Sequence, residues 1–285
     1  MKPTLDEVVR EAESTMSMPR SAMHIHELSI SSDTRRDDMV AAIESDPAFT
    51  ARLLRLVNSS WYSRGRTITD LKQAVTRVGY REIGQLALAI GSAKAMSHME
   101  SELMRLSSFW EHSLVTATLS RRLAQSLPAV KDQAFVCGLL HDVGQLVLFR
   151  TCPAHMEEVI RTTLDYDNRS ECDVEKEILG FDHTEVGAAI GERWRLPAPI
   201  IQTMRYHHRP AEAPDNREIV AVVAVANVIE SNGMPVGGDL DDTELRAILK
   251  QIDGVVKIDL DGYPELETQA QEEAAETMDM FLAAD

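Results

Sequence analysis

Apolar residues recur along this chain at spacings of three and four, the period of an α-helix, and almost never alternate as in a strand. In residues 37–44, Met39, Val40 and Ile43 share one helical face. Ser45-Asp46-Pro47 then predicts a break and a restart, with Asp46 as N-cap and Pro47 in the first turn, where its missing N–H costs nothing. The next helix is expected over residues 47–59, with Phe49, Leu53, Leu56 and Val57 on its buried side. Thr69 or Asp70 should cap a helix running to Val78, and Gly79 should end it in a left-handed conformation before another helix over residues 81–96.

From residue 101 onward, helices are expected at about 102–126, 132–150, 153–167, 171–179, 183–194, 197–206 and 215–231. Pro128 and Pro197 separate neighbours, because proline disfavours helical geometry in the residue before it. Asp182 and Glu185 have the spacing of a capping box. The one short strand candidate is residues 254–258. From Thr268 on, the acidic, alanine-rich end reads either as an amphipathic helix docking through Met278, Met280, Phe281 and Leu282 or as a frayed tail. The fold class is all-α: an N-terminal helical lobe over residues 1–98, packed on a second helical lobe over residues 99–285.

Composition fits a folded chain. Of the 285 residues, 44% are hydrophobic but only 5% aromatic, so the core must be built from Leu, Ile, Val, Ala and Met. A net charge of −17 repels the phosphate backbone and anionic lipid alike, which argues against nucleic acid and membrane as partners. Arginines cluster locally at Arg20, Arg35-Arg36, Arg64 and Arg66, and Arg121-Arg122, and read as solvated charges. Residues 70–89 have a helix–glycine–helix look, but too few basic residues line the second helix for DNA reading. No apolar run is long enough to span a bilayer, and the first residues lack a signal-type stretch. Cys137, Cys152 and Cys172 form no paired spacing, as expected of reduced thiols in a cytoplasmic protein. Cys137 reads as a small buried hydrophobe.

The chemistry concentrates in histidine. His141 and Asp142 are adjacent polar residues on a helix otherwise carrying Phe135, Leu139, Leu140, Leu146 and Val147. A buried charge needs a partner, and an imidazole beside a carboxylate can supply one by holding a divalent cation. His112, His183, His207 and His208 are further candidates. Each alone also reads as a structural histidine bonded to a neighbour or a helix end. Asn58 and Trp61 read as a cap and a core aromatic.

The run Gly138-Leu139-Leu140-His141-Asp142-Val143-Gly144 resembles the signature of the HD superfamily of metal-dependent phosphohydrolases. The chain is similar, more specifically, to HDOD domains, a bacterial signalling branch of that superfamily. The resemblance is carried by residues 44–60, 68–79, 109–113, 138–144, 182–187, 194–197 and 207–210, and covers about residues 14–230. It implies that His112 matches the first motif histidine, His141-Asp142 the signature pair, and His183, His207 and His208 the positions that bind a second metal in HD-GYP relatives. The last aspartate of the motif falls at Asn227, a weaker, uncharged ligand. Gln145 stands where catalytic relatives often carry lysine, and no Gly-Tyr-Pro segment follows His208.

Two functions follow. One is a regulatory signalling module that acts through contacts with other proteins, without catalysis, holding iron, zinc or nickel in a histidine-rich pocket. The alternative is a metal-dependent phosphohydrolase acting on a nucleotide or cyclic dinucleotide. No organic cofactor is expected, and the sequence leaves a homodimer open.

Overall fold

Side-chain caps set where several elements begin. In the computed structural model, which describes residues 2–59, 67–165, 169–232, 243–258, 260 and 263–282, the Asp46 carboxylate accepts from the Phe49 N–H at 3.0 Å. Asp70 accepts from Gln73 N–H at 2.8 Å. Asp182 and Glu185 form the expected capping box, at 3.0 and 3.1 Å. Asn58 closes the turn after its helix by bonding the Leu54 carbonyl and both backbone groups of Ile68. Trp61, Arg64 and Arg66 lie outside the described residues.

The described residues are helical and hold no strand. The helices are α1 Leu5–Thr15, α2 Arg20–Ile30, α3 Arg36–Glu44, α4 Pro47–Val57, α5 Leu71–Val78, α6 Tyr80–Ala95, α7 Leu106–Leu123, α8 Ala134–Leu140, α9 Val143–Thr151, α10 Pro153–Asp165, α11 Glu171–Ile178, α12 His183–Arg193, α13 Ala198–Tyr206, α14 Arg217–Asn232, α15 Thr243–Gln251 and α16 Tyr263–Leu282. The chemically informative departure from the sequence reading is the split of the expected 132–150 helix. It breaks at His141-Asp142, where Asp142 sits at φ −105° and ψ 15° between α8 and α9. Helices α1 and α2 were not anticipated. Residues 254–258 are not a strand: they follow α15 through a turn, with Gly254 at φ 75°. Gly79 does take a positive φ, 92°, but its ψ of 157° lies outside the left-handed helical basin, and it turns the chain directly into α6.

Helix α6 is the centre of the first half. It packs on α2, α4 and α5 and also touches α8. Residues 86–93 of α6 are buried. In the second half, α7 packs on α8, α14 and α16, while α9 packs on α12 and α12 on α13. Helix α16 docks through Ala270, Ala274 and Thr277, and Arg122 of α7 pairs with Gln269 and Glu273 on it. Helix α1 lies not on the first half but against α9 and α12, where Arg193 of α12 pairs with Asp6 and Glu13. Among the described residues no single helix is long and apolar enough to cross a membrane.

One glycine sets the α9–α12 distance. A Cβ at Gly144 would lie 1.8 Å from the His183 carbonyl oxygen and 2.7 Å from the Gly187 nitrogen. Backbone therefore meets backbone, and no side chain can give way. Gly144→Ala is expected to destabilise the fold by about 3 kcal/mol, at the upper end of overpacking costs, read as a lower urea midpoint at constant slope. A midpoint unchanged from the unaltered chain would mean that α9 and α12 do not approach this closely.

Candidate metal centre

Five helices and two of their junctions bring the histidines together. His112 projects from the second turn of α7. His141 and Asp142 sit at the α8–α9 break, which frees their side chains from a shared helical direction. His183 is the first residue of α12, His207 ends α13 and His208 follows it. Their rings form a contiguous cluster, with neighbouring centroids 4.2 to 5.7 Å apart from His112 through His141, His207 and His183 to His208. All six candidates from the sequence therefore converge, and Asn227 joins them from α14, its Oδ1 lying 3.2 Å from His141 Nε2.

Hydrogen bonds fix which imidazole nitrogen faces inward. Four Nδ1 atoms face groups that can only accept. His141 Nδ1 donates to the Gly138 carbonyl at 2.7 Å, His183 Nδ1 to Glu175 at 2.8 Å, His207 Nδ1 to the Thr203 carbonyl at 3.0 Å, and His112 Nδ1 to Glu230. Each of these rings therefore turns its Nε2 into the cluster.

The inward atoms fall into two groups around one carboxylate. Asp142 Oδ2 is 3.5 Å from both His112 Nε2 and His141 Nε2. Asp142 Oδ1 is 3.1 Å from His207 Nε2 and 3.5 Å from His183 Nε2. His112 Nε2 faces His141 Nε2 at 3.2 Å, and His183 Nε2 faces His208 Nε2 at the same distance. Donors bound to one ion at about 2.1 Å, with angles of about 90–110° between them, lie roughly 3.0–3.4 Å apart. The observed spacings of 3.1–3.5 Å are close to that range. In each of two groups, His112–His141–Asp142 and Asp142–His183–His207–His208, one ligand atom per residue lies within 4.8 Å of all the others, and the cluster can hold a metal ion.

The chemistry of the uncharged set points the same way. Asp142 Oδ1 and His207 Nε2 are buried and lack hydrogen-bond partners despite their proximity. With Nδ1–H fixed on His112 and His141, their Nε2 lone pairs would face each other and repel unless a cation, metal or proton, lay between them. Without metal, protons fill that role. Burial works against a charged His112, but Asp142 and Glu230 outweigh it and raise its pKa to about 10. Burial likewise opposes charge on His183, and Glu175 and Asp142 raise it to about 10. Burial lowers His141 to about 3 and holds His208 well below its ordinary value. Asp142 is buried, yet the surrounding histidines keep it ionised far below the usual carboxylate range.

Three carboxylates near the site were not anticipated: Glu230, Glu175 and Glu171. The signal for them is helical spacing: Glu230 is three residues beyond Asn227, and Glu171 and Glu175 are four apart on α11. Glu171 accepts from Gln145 at 3.2 Å, and burial raises its pKa to about 7. Lys176 and Arg209 pair with Asp182, the residue before His183, at 3.0 and 3.1 Å.

Comparison with known proteins agrees with the fold. The HDOD domain family matches residues 16–210. An HDOD domain protein of unknown function from Geobacter sulfurreducens superposes with a TM-score of 0.77 at 24% identity, over 98% of each chain. A candidate phosphohydrolase from Shewanella amazonensis SB2B superposes with a TM-score of 0.78 at 23% identity, over 97% of this chain and 98% of that one. A candidate signal transduction protein from Marinobacter aquaeolei VT8 gives 0.74 at 20% identity, over 99% of this chain and 62% of that one. An uncharacterized protein of Treponema pallidum is 31% identical over 222 residues, which are 74% of this chain and 41% of that protein. The match thus spans less than half the length of that curated relative. With the motif residues converging on one pocket and the family match covering more than half its length, the chain belongs to the HDOD domain family.

Proposed function

We propose that this chain is a regulatory module of bacterial signalling whose second lobe is organised by a pair of transition-metal ions bridged by Asp142. The observation that carries the reading is the division of one buried carboxylate between two histidine groups, with Oδ2 toward His112 and His141 and Oδ1 toward His183 and His207. Imidazole-rich sets suit iron, zinc or nickel. Asn227 would add a neutral oxygen to the first group.

The same site is poorly equipped for turnover on a phosphodiester. Hydrolysis needs an activated water, room for substrate and positive charge for the developing oxyanion. Here Asp142, His141, His183 and His207 are nearly inaccessible. Gln145 is engaged with Glu171 in place of a phosphate-binding lysine, and Lys176 and Arg209 are bound to Asp182. Output through protein contacts has a physical route instead. Helix α1 lies on α9 and α12, which adjoin Asp142 and carry His183, so ordering of those ligands is transmitted to an outer helix. The intact bridging geometry favours a second reading, a phosphohydrolase acting on a nucleotide or cyclic dinucleotide.

Metal analysis and a diesterase assay separate the two. The purified chain should carry up to two transition ions, Asp142→Ala should lose both, and His141→Ala should lose the ion of its own group. Neither bis(p-nitrophenyl) phosphate nor a cyclic dinucleotide should be cleaved above the buffer rate, and hydrogen exchange in α1 should slow on loading. Robust turnover abolished by His141→Ala would establish the enzyme in place of the module.

The protonation of the cluster gives a pH dependence. With His112 and His183 raised to about 10, the metal-free site holds protons that an entering ion displaces. Zinc affinity should therefore fall as pH falls, with net proton release on loading at pH 7.5, measurable by calorimetry in buffers of different ionisation enthalpy. For the chelated chain the stabilisation from these two imidazoliums is complete below the ordinary histidine value of 6.5 and is lost as pH rises towards 10, so its Tm should decline over that interval.

A further inference from the structure

We propose that Glu230 and Glu175 are positioning residues, each governing one half of the metal centre through the histidine it holds. The inference rests on the metal-binding reading above and assigns the source of the charge and rigidity that the ligand set itself lacks.

The ligand set is unusually poor in charge. Asp142 is its single anion, set against five neutral imidazoles and, at Asn227, an amide. Two divalent ions would leave a buried excess of positive charge, which is costly in a low-dielectric interior. The compensation lies one imidazole away. Glu230 accepts from His112 Nδ1, and Glu175 accepts from His183 Nδ1 at 2.8 Å. A carboxylate in that position fixes the ring, holds Nε2 unprotonated towards the ion, and makes the imidazole a stronger donor. His141 and His207 have only backbone carbonyls at the equivalent place. Each histidine group therefore contains one carboxylate-backed imidazole, and the two glutamates come from different helices, α14 and α11.

The two glutamates are not equivalent as structural elements. The Glu175 side chain is fully buried, and its Oε2 also accepts from the His183 backbone N–H at 2.8 Å, so it fastens the start of α12 as well as the ring. The Glu230 side chain is 19% exposed and pairs with His112. Loss of Glu230 can be tolerated by the fold, whereas loss of Glu175 threatens it. The pair thus supplies one decisive variant and one corroborating variant.

The test is cobalt(II) titration of the chelated full-length chain, followed by its d–d bands and by calorimetry, with far-ultraviolet circular dichroism as the folding control. The unaltered chain should take up two ions. Glu230→Ala should weaken one of them by about 10–100-fold, change the band of that ion alone, and leave the second ion and the helical signal intact. Glu230→Gln, which keeps an acceptor oxygen but not the charge, should fall between the two. Glu175→Gln, where it folds, should weaken the other ion. If the unaltered chain binds two ions and Glu230→Ala binds both with unchanged affinity and bands, the positioning role is overturned while the metal-binding reading stands. Loss of both ions in a folded Glu230→Ala chain would equally overturn it, because the halves would not be governed separately. Failure of the unaltered chain to bind cobalt would remove this inference together with the reading beneath it.

Discussion

A buried, ionised carboxylate is the constraint around which the second half of this molecule is arranged. Asp142 is 5% exposed, and its two oxygens face four imidazoles. An isolated carboxylate in such surroundings would be prohibitively costly. Compensation must come from every side at once, so α7, α12 and the end of α13 are all required to present a histidine at the same point. The break between α8 and α9 follows from this demand, since it places His141 and Asp142 where a regular helix would splay them apart. Gly144 follows too, because only a residue without a side chain lets α9 meet the first turn of α12.

A site built this way is self-consistent only around positive charge. The Nδ1 atoms of His112 and His141 are tied outward and their Nε2 atoms aimed inward, which leaves lone pairs facing one another at 3.2 Å. Either a proton or a metal ion relieves that repulsion. In the regulatory reading proposed above, exchange between those two fillings is what would draw the same helices together or let them relax, with α1 lying on α9 and α12 and α16 on α7.

The contrast with hydrolysis lies in charge placement. The carboxylates that accompany the centre are held behind imidazoles or, as with Glu171, bonded to Gln145. The basic residues are drawn to Asp182, where they secure the entry to α12. Both arrangements are the basis on which the proposed reading prefers a retained ion to turnover on an anionic substrate.

Much of the fold was legible in the sequence because its signals are local. Helical periodicity, the caps at Asp46, Asp70 and Asp182, and the chain reversal at Gly79 are each decided within a few residues. The six residues that cluster at the candidate centre were legible through their motifs. What the sequence could not decide was where distant segments meet. Helical spacing places Glu230 near Asn227 and Glu175 near Glu171, but it does not pair them with His112 and His183, 118 and 8 residues away. Nor does anything local bring α1 onto α9 and α12, or interrupt the helical pattern at His141. Those outcomes depend on the desolvation of one carboxylate and on the close passage of two backbones, and both arise only when the chain is packed.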